Sequence, residues 1–120
     1  MNINQYIEEK FPKDLVLRNL DKKYIKEANI SYDNAKADAI FGYASIKKYL
    51  KIEDKILEIG GGMHFLSSFL KFLGHDVVSI EPGGFEKHVD LMRSEILKNN
   101  KKLKIKNNYL EKYCDDNKDA

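Results

Sequence analysis

The chain has 120 residues, of which 42% are hydrophobic and 33% charged, and its formal net charge is +2. That length suffices for one small domain with a core, and the small net charge gives no global attraction to nucleic acid or anionic membranes. No apolar run approaches the roughly 20 residues that a membrane helix needs. The start, MNINQYIEEK, lacks the basic-then-apolar pattern of a signal peptide. The single cysteine, Cys114, cannot form an internal disulfide, which is typical of a reduced, cytoplasmic setting.

The first 34 residues are predicted to be a helical segment that precedes the main domain, residues 35–120. Apolar residues recur in them at three- and four-residue spacings, and Pro12 separates two such stretches. In residues 35–50, Ala39, Tyr43, Ile46 and Leu50 give one apolar stripe, which predicts a firmer helix. The predicted elements are helices over residues 2–10, 14–28 and 35–50, with a loop at 29–34, where Asp33 or Asn34 caps the helix that follows.

The pattern changes at KILEIG, a short apolar run that stops at Gly60 and is typical of a buried strand. Residues 64–73 predict a helix closed by Gly74. Its phenylalanines, Phe65, Phe69 and Phe72, form one stripe that is expected in the core. DVVSIEP predicts a second strand, which ends at Pro82. Another helix follows from about Phe85, then an edge strand in KLKIKNNYL and a frayed polar end, DDNKDA.

Strand, helix, strand, helix, strand is the signature of parallel βαβ units, so the predicted fold class is α/β. In such sheets ligands bind beyond the carboxyl ends of the strands. Two unusual features of the sequence, the glycine run Gly60–Gly62 and the acidic residue Glu81, both fall at carboxyl ends of predicted strands.

Glycines between a strand and a helix permit positive φ and let the main chain approach a ligand closely. A cofactor crossing such a loop places its adenosine ribose near the end of the neighbouring strand. Glu81 follows Gly60 by 21 positions (81 − 60 = 21), close to the roughly 20 typical of an adenosine-binding βαβ unit. Its carboxylate is therefore a candidate acceptor for the two ribose hydroxyls.

Two cofactor classes compete for this loop. The dinucleotide fingerprint requires a third glycine where this chain has Phe65. Glu58, two residues before the glycine run, is also a poor neighbour for a diphosphate. A positively charged ligand suits Glu58 better, and S-adenosylmethionine carries both a sulfonium and an ammonium group.

At these residues the chain resembles class I S-adenosylmethionine-dependent methyltransferases, over about residues 35–110. ILEIGGGMH is similar to the family's first motif, acidic-x-Gly-x-Gly-x-Gly, with Glu58, Gly60 and Gly62 in place and Gly61 between the two glycines. His64 stands where the family's last glycine is usual. VVSIEP is similar to the second motif, in which the acidic residue, here Glu81, binds the ribose.

The resemblance also implies residues for the adenine. Pro82 and Gly83 would lie beside it, and Asn108 or Tyr109 would touch it from a segment similar to the one before the family's fourth strand. The implied fold is a Rossmann-like three-layer αβα domain with a parallel sheet, truncated after the third strand and preceded by N-terminal helices. The implied reaction is methyl transfer from S-adenosylmethionine to an unidentified acceptor, and the resemblance identifies no catalytic residue.

With no fourth strand, KILEI would expose an apolar edge. Three outcomes are open: the chain is a fragment of a longer methyltransferase, it forms a homo-oligomer or pairs with a partner through the open edge, or its N-terminal helices cover that edge. Two other functions also remain open. One is a non-catalytic module that binds S-adenosylmethionine or only a partner protein, and the other, which Phe65 and Glu58 disfavour, is a fragment of an NAD-dependent oxidoreductase.

Other polar residues have simpler interpretations. His64 is expected to be a loop or capping residue rather than a base, and His75 and His88 are expected at the surface. Three scattered histidines and one cysteine show no metal-ligand spacing. The basic stretch at residues 98–108 could contact RNA phosphates, but a solvated edge strand explains it equally well. Because no aromatic residues interleave with its lysines, nucleic acid is not an expected partner.

Overall fold

The computed structural model describes residues 1–107 and 109–117. Strands and helices alternate along the second half of the chain, as the sequence predicts, and the strands form a small parallel sheet. Two single turns of 3₁₀ helix, Lys22–Tyr24 and Lys47–Tyr49, flank the longest helix. The elements are α1 (Ile3–Lys10), α2 (Lys13–Leu17), α3 (Ile25–Ile46), β1 (Lys55–Ile59), α4 (Phe65–Phe72), β2 (Asp76–Ile80), α5 (Lys87–Lys98), β3 (Lys104–Lys106) and α6 (Leu110–Asn117).

The three strands form one parallel sheet in the order β1-β2-β3. Leu57 is paired with Val78, and Ser79 with Ile105. This register aligns the carboxyl ends of β1 and β2, because Ile59 lies opposite Ile80. The α/β class with a parallel sheet is therefore confirmed.

One face of the sheet packs on helices. Side chains alternate along a strand, so Ile56, Val77 and Ile105 share a face, and they cluster with Leu70 of α4 and with residues of α3. On the opposite face Leu57 and Ile59 are 40% and 59% exposed. The expectation that β1 is a buried strand is therefore wrong, because one of its faces is left uncovered in the described residues. Among the described residues β1 pairs only with β2, so its outer edge is open there.

The loop expected at residues 29–34 is wrong, because these residues lie inside α3. Their polar character, which suggested a loop, belongs to the exposed side of the helix, where Asp33 pairs with Lys13 at 2.8 Å. The other side buries Ala28 and Tyr32, and the Tyr32 hydroxyl donates to the carbonyl oxygen of Phe11 at 2.7 Å. Burial of one helix face overrides the local preference of polar residues for turns. The segment boundary expected at residue 34 also falls inside α3.

The single helix expected over residues 14–28 is also wrong, because helix α2 ends at Leu17 and α3 begins only at Ile25. At this break Asn19 donates from Nδ2 to Glu95 Oε1 at 2.5 Å, and Arg18 pairs with the same carboxylate at 3.4 Å. These contacts hold the connection against α5 instead of letting the helix continue. Of the polar end that is expected to fray, residues 115–117 lie in helix α6, and residues 118–120 lie outside the described residues.

Candidate functional site

The glycine run forms the connection between β1 and α4 at the carboxyl end of the sheet. The backbone N–H groups of Gly60 and Gly61 both donate to the carbonyl oxygen of Ile80, at 2.9 and 3.3 Å. Gly60 and Gly62 have φ of 69° and 57°, in the left-handed region that favours glycine. The loop is thus fixed to the end of β2, one residue before Glu81.

Gly61 is needed for a different reason, since it is not among the residues with positive φ. A Cβ atom there would lie 2.6 Å from Glu58 Oε1 and 2.7 Å from His64 Nδ1, and closer still to Ser79 Oγ. Gly61 therefore lies directly against a cluster of polar side chains, and no larger residue fits without displacing them.

His64 takes the left-handed conformation, with φ 62° and ψ 23°, at the N-cap position of α4. It is the only non-glycine residue with positive φ in the described part of the chain. Its imidazole makes no side-chain capping bond and is fully buried. Left-handed backbone costs about 1–2 kcal/mol for an ordinary residue, so contacts of the ring must offset this cost. His64 is therefore at a cap position, as expected, but its side chain contacts Ser79 and Arg93 instead of capping the helix.

The ring of His64 connects two charged groups through a chain of hydrogen bonds. Arg93 Nη2 lies 3.0 Å from Nε2, and Ser79 Oγ lies 3.0 Å from Nδ1. Because a guanidinium can only donate, Nε2 accepts, and Nδ1 carries the proton and donates to Ser79. The Ser79 hydroxyl in turn donates to Glu58 Oε1 at 2.7 Å. Every hydrogen bond in this series is therefore donated in the direction from Arg93 toward Glu58.

The protonation states agree with this direction. Burial, and secondarily the Arg93 charge, lowers the pKa of His64 to about 4, so the ring is neutral near pH 7. Burial raises the pKa of Glu58, opposed by hydrogen bonds from Ser79 and Ser67 and assisted by the nearby Glu81 charge. Although His64 Nδ1 is 4.0 Å from Glu58 Oε1, a neutral ring makes this a polar contact and not an ion pair.

Glu81 bridges the glycine loop and the segment that follows β2. Its Oε1 accepts from Gly62 N–H at 2.8 Å, and its Oε2 accepts from Gly83 N–H at 3.2 Å. The residue is only 6% exposed. The structure thus brings together Glu81, Gly62 and Gly83, three of the predicted site residues.

A cavity of about 220 Å³ lies between α3 and the glycine loop. Glu58 and Asp38 are the acidic residues in its lining, which does not include Glu81. The small side chains Ala35 and Ala39 of α3 leave room for the cavity beside Asp38. Asp38 is not predicted from the sequence, because the periodicity of this helix indicates only its apolar stripe. The available signal is the pair of small residues Ala35 and Ala39, four positions apart, with Asp38 beside them.

Arg93 of α5 was also missed. Besides contacting His64, its Nε donates to the carbonyl oxygen of Gly62 at 2.8 Å. Its guanidinium also lies over the Phe85 ring, 5.2 Å from the centroid. Arg93 is one of only two arginines in a lysine-rich chain, and this rarity is the sequence signal that could have identified it as a site residue.

The remaining predicted residues are less closely associated with the loop. Pro82 is exposed. Tyr109 is 69% exposed and does not line the cavity beside the glycine loop. Asn108 lies outside the described residues. The expectation that His75 and His88 are surface residues is wrong, because they are 6% and 5% exposed.

Comparisons of the chain with protein-family models, with curated proteins and with solved structures found no match. Within residues 1–107 and 109–117, no helix is both long enough and apolar enough to span a membrane. In the same residues no three His, Cys, Asp or Glu side chains are grouped so as to hold a metal ion. The assignment of a function therefore depends on the geometry of the glycine loop and its neighbours.

Proposed function

We propose that this chain binds S-adenosylmethionine in a Rossmann-like βαβ unit and is an S-adenosylmethionine-dependent methyltransferase, or the cofactor-binding part of one. The observation that carries the proposal is the 2.8 Å hydrogen bond from Gly62 N–H to Glu81 Oε1. It joins a glycine loop and an acidic residue at the carboxyl ends of adjacent parallel strands, which is where an open α/β sheet binds ligands.

The cavity beside the loop suits the cationic end of the cofactor. Two carboxylates, Asp38 and Glu58, border a space of about 220 Å³, enough for an amino-acid portion but not for a whole adenosyl ligand. Burial already raises the pKa of Glu58. An ammonium or sulfonium group placed beside it would favour the charged carboxylate and would gain from the reduced solvation.

The adenosine end is assigned to Glu81. A carboxylate offers about four acceptor positions, and the two backbone N–H groups occupy two of them. Ribose hydroxyls can use the others, provided that the loop at Gly83 moves enough to admit the ring. Pro82 and Gly83 would then lie beside the adenine.

The proposed reaction transfers the methyl group of the sulfonium to a nucleophilic N, O, S or C atom of an acceptor. The cofactor supplies the leaving group, while the protein orients it and excludes water. In this family a further strand would lie beside β1, whose outer edge is open in the described residues. That strand would come from the same chain, a second copy or a partner. Together with a further layer packed over the exposed Leu57 and Ile59, it would complete the three-layer arrangement.

A non-catalytic S-adenosylmethionine-binding module is the second candidate, and one observation favours it. His64 is the histidine that lines the cavity, but it is neutral and both of its ring nitrogens are engaged. It is therefore not available as a general base. An NAD-dependent oxidoreductase is less favoured, because Asp38 and Glu58 would both face a diphosphate.

Titration calorimetry with S-adenosylhomocysteine and with NAD tests the proposal. We expect Glu81→Ala to weaken S-adenosylhomocysteine binding by about 1–3 kcal/mol, as for lost hydrogen bonds to a partly buried ligand. Glu53→Ala, at an exposed acidic residue, is the matched control and should leave the dissociation constant unchanged. Tighter binding of NAD, or an unchanged constant in Glu81→Ala, would overturn the assignment. Transfer of labelled methyl groups to candidate acceptors then separates an enzyme from a binding module.

A further inference from the structure

A second surface feature, which we call the basic groove, consists of Lys10, Lys71, Phe72, Lys98, Lys101 and Lys102. Two adjoining cavities of about 510 and 410 Å³ form it, and Lys10, Asn100 and Lys102 line both. The groove lies between the end of α1, the exposed side of α4 and the turn from α5 to β3. That turn is at the amino end of β3, whereas the glycine loop is at the carboxyl end of β1.

The fold adds lysines from elsewhere in the chain to three lysines of the sequence cluster at residues 98–108. Lys10 and Lys71 come from distant parts of the chain and line the larger cavity together with Lys102. The turn that carries Lys101 and Lys102 is fixed, because Asn100 Nδ2 hydrogen-bonds to Ser68 Oγ of α4 and Leu103 is buried. The lysines are therefore presented by an ordered scaffold.

Little acidic charge neutralises these lysines. Lys98 pairs with Glu95 at 3.1 Å, but that carboxylate is 5% exposed and also pairs with Arg18. Glu9 is the acidic residue in the lining of the two cavities. Within the described residues, Lys10, Lys71, Lys101 and Lys102 have no ion pair at or under 4.0 Å. The groove is thus locally cationic in a chain of net charge only +2.

An aromatic ring lies among these charges. The sequence predicts that the phenylalanines of α4 all belong to the core, and Phe65 and Phe69 are each 2% exposed, but Phe72 is 54% exposed. Its ring packs at 4.9 Å from the Tyr6 ring, which orients it. Phe72 therefore offers the stacking surface that residues 98–108 lack in the sequence itself.

We propose that the basic groove binds single-stranded nucleic acid, with phosphates at the lysines and a base stacked on Phe72. Cationic grooves with exposed aromatic rings bind single strands in this way, because every base has a stacking face. The groove is recessed, whereas a membrane surface would contact protruding side chains, so an anionic bilayer is the less suitable occupant. This proposal is independent of the cofactor assignment, since no residue of the basic groove lines the cavity beside the glycine loop.

Fluorescence anisotropy with a labelled oligouridylate dodecamer, titrated over a series of salt concentrations, tests this proposal. On single strands the slope of log K against log salt is about −0.7 per phosphate contact, so four or five lysines predict about −3. We expect Lys71→Gln with Lys102→Gln to weaken binding and to reduce the slope by about 1.4. We expect Phe72→Ala to weaken binding about tenfold with the slope unchanged, because stacking releases no counterions.

The matched control replaces Lys22 and Lys26, two exposed lysines outside the groove, by glutamine. An equal loss of affinity in this control, or no binding of the oligonucleotide by the wild-type chain, would overturn the proposal. So would binding to phosphatidylserine vesicles without binding to the oligonucleotide, or displacement of the oligonucleotide by polyglutamate as readily as by unlabelled oligouridylate. Circular dichroism of every variant confirms that the fold is retained.

Discussion

Replacing each loop glycine by alanine separates the two roles of glycine in this loop. At Gly61 the new Cβ meets the cluster of Glu58, His64 and Ser79. At Gly60 and Gly62 it meets no atom within 4 Å, but the backbone φ is positive. A side chain at Gly61 is therefore excluded by lack of space, whereas one at Gly60 or Gly62 is disfavoured by the backbone conformation.

The magnitudes follow from these geometries. Gly61→Ala must push apart two hydrogen bonds, His64–Ser79 and Ser79–Glu58, at about 1 kcal/mol each, and it also overpacks the cluster by about 1–3 kcal/mol. Together these terms predict a loss of about 3–5 kcal/mol in the free energy of unfolding. Gly60→Ala should cost about 1 kcal/mol, since a left-handed alanine costs about 1–2 kcal/mol and the unfolded chain loses some entropy.

Urea denaturation followed by circular dichroism measures these differences. Gly42→Ala is the matched control, because it replaces a glycine inside α3 whose Cβ would meet only the flexible end of Leu66, at 3.3 Å. Alanine is favoured in a helix by about 1 kcal/mol, so this variant should be neutral or more stable. The reasoning is refuted if Gly61→Ala stays within about 0.5 kcal/mol of wild type, the ordinary range of surface substitutions, or costs less than Gly60→Ala.

Two further predictions concern the buried titratable groups. Because the pKa of His64 falls from 6.5 to about 4 on folding, the unfolded chain binds more protons between these values, and about 3 kcal/mol of stability present above pH 6.5 should be lost as the pH falls toward 4. Asparagine tolerates the left-handed backbone but has no titratable group, so the stability of His64→Asn should depend less on pH over the same range. Parallel pH profiles of the variant and the wild type would contradict the assigned burial. Because burial raises the pKa of Glu58, keeping its carboxylate charged in the folded state opposes folding. Glu58→Gln should therefore not lower stability, although it should weaken S-adenosylmethionine binding about tenfold by removing a charge-assisted contact. Calorimetry and denaturation on this variant check both parts, and lower stability with unchanged affinity would contradict the cofactor assignment.

The sheet could be predicted from the sequence because its signals are local. The first two strands are short apolar runs that end at glycine or proline, and the helices between the strands repeat at a period near 3.6, so KILEIG and DVVSIEP are correctly identified as strands. The helical state of residues 29–34 is not predictable in the same way. These residues favour turns locally, and it is burial of one helix face, with Tyr32 packed against Phe11 from a distant part of the sequence, that keeps them helical.

The candidate site could be predicted in part for the same reason. The glycine run and Glu81 form a spacing pattern that is visible in one dimension, and the structure places them in contact. Asp38 and Arg93 approach the loop from other helices, and no spacing rule connects them to it. Likewise Phe72 was assigned to the core by its helical period, although it lies at the edge of the buried stripe and is largely exposed.

The double hydrogen bond of Glu81 makes the two backbone N–H groups it binds into reporters of occupancy. A ligand that draws this carboxylate toward itself weakens its bonds to Gly62 and Gly83, so the hydrogen exchange of these two amides should change on titration even when no reaction takes place. Since one carboxylate holds both amides, their exchange rates should change together at the same ligand concentration. The occupancy of the site can therefore be followed at two backbone positions with any candidate ligand.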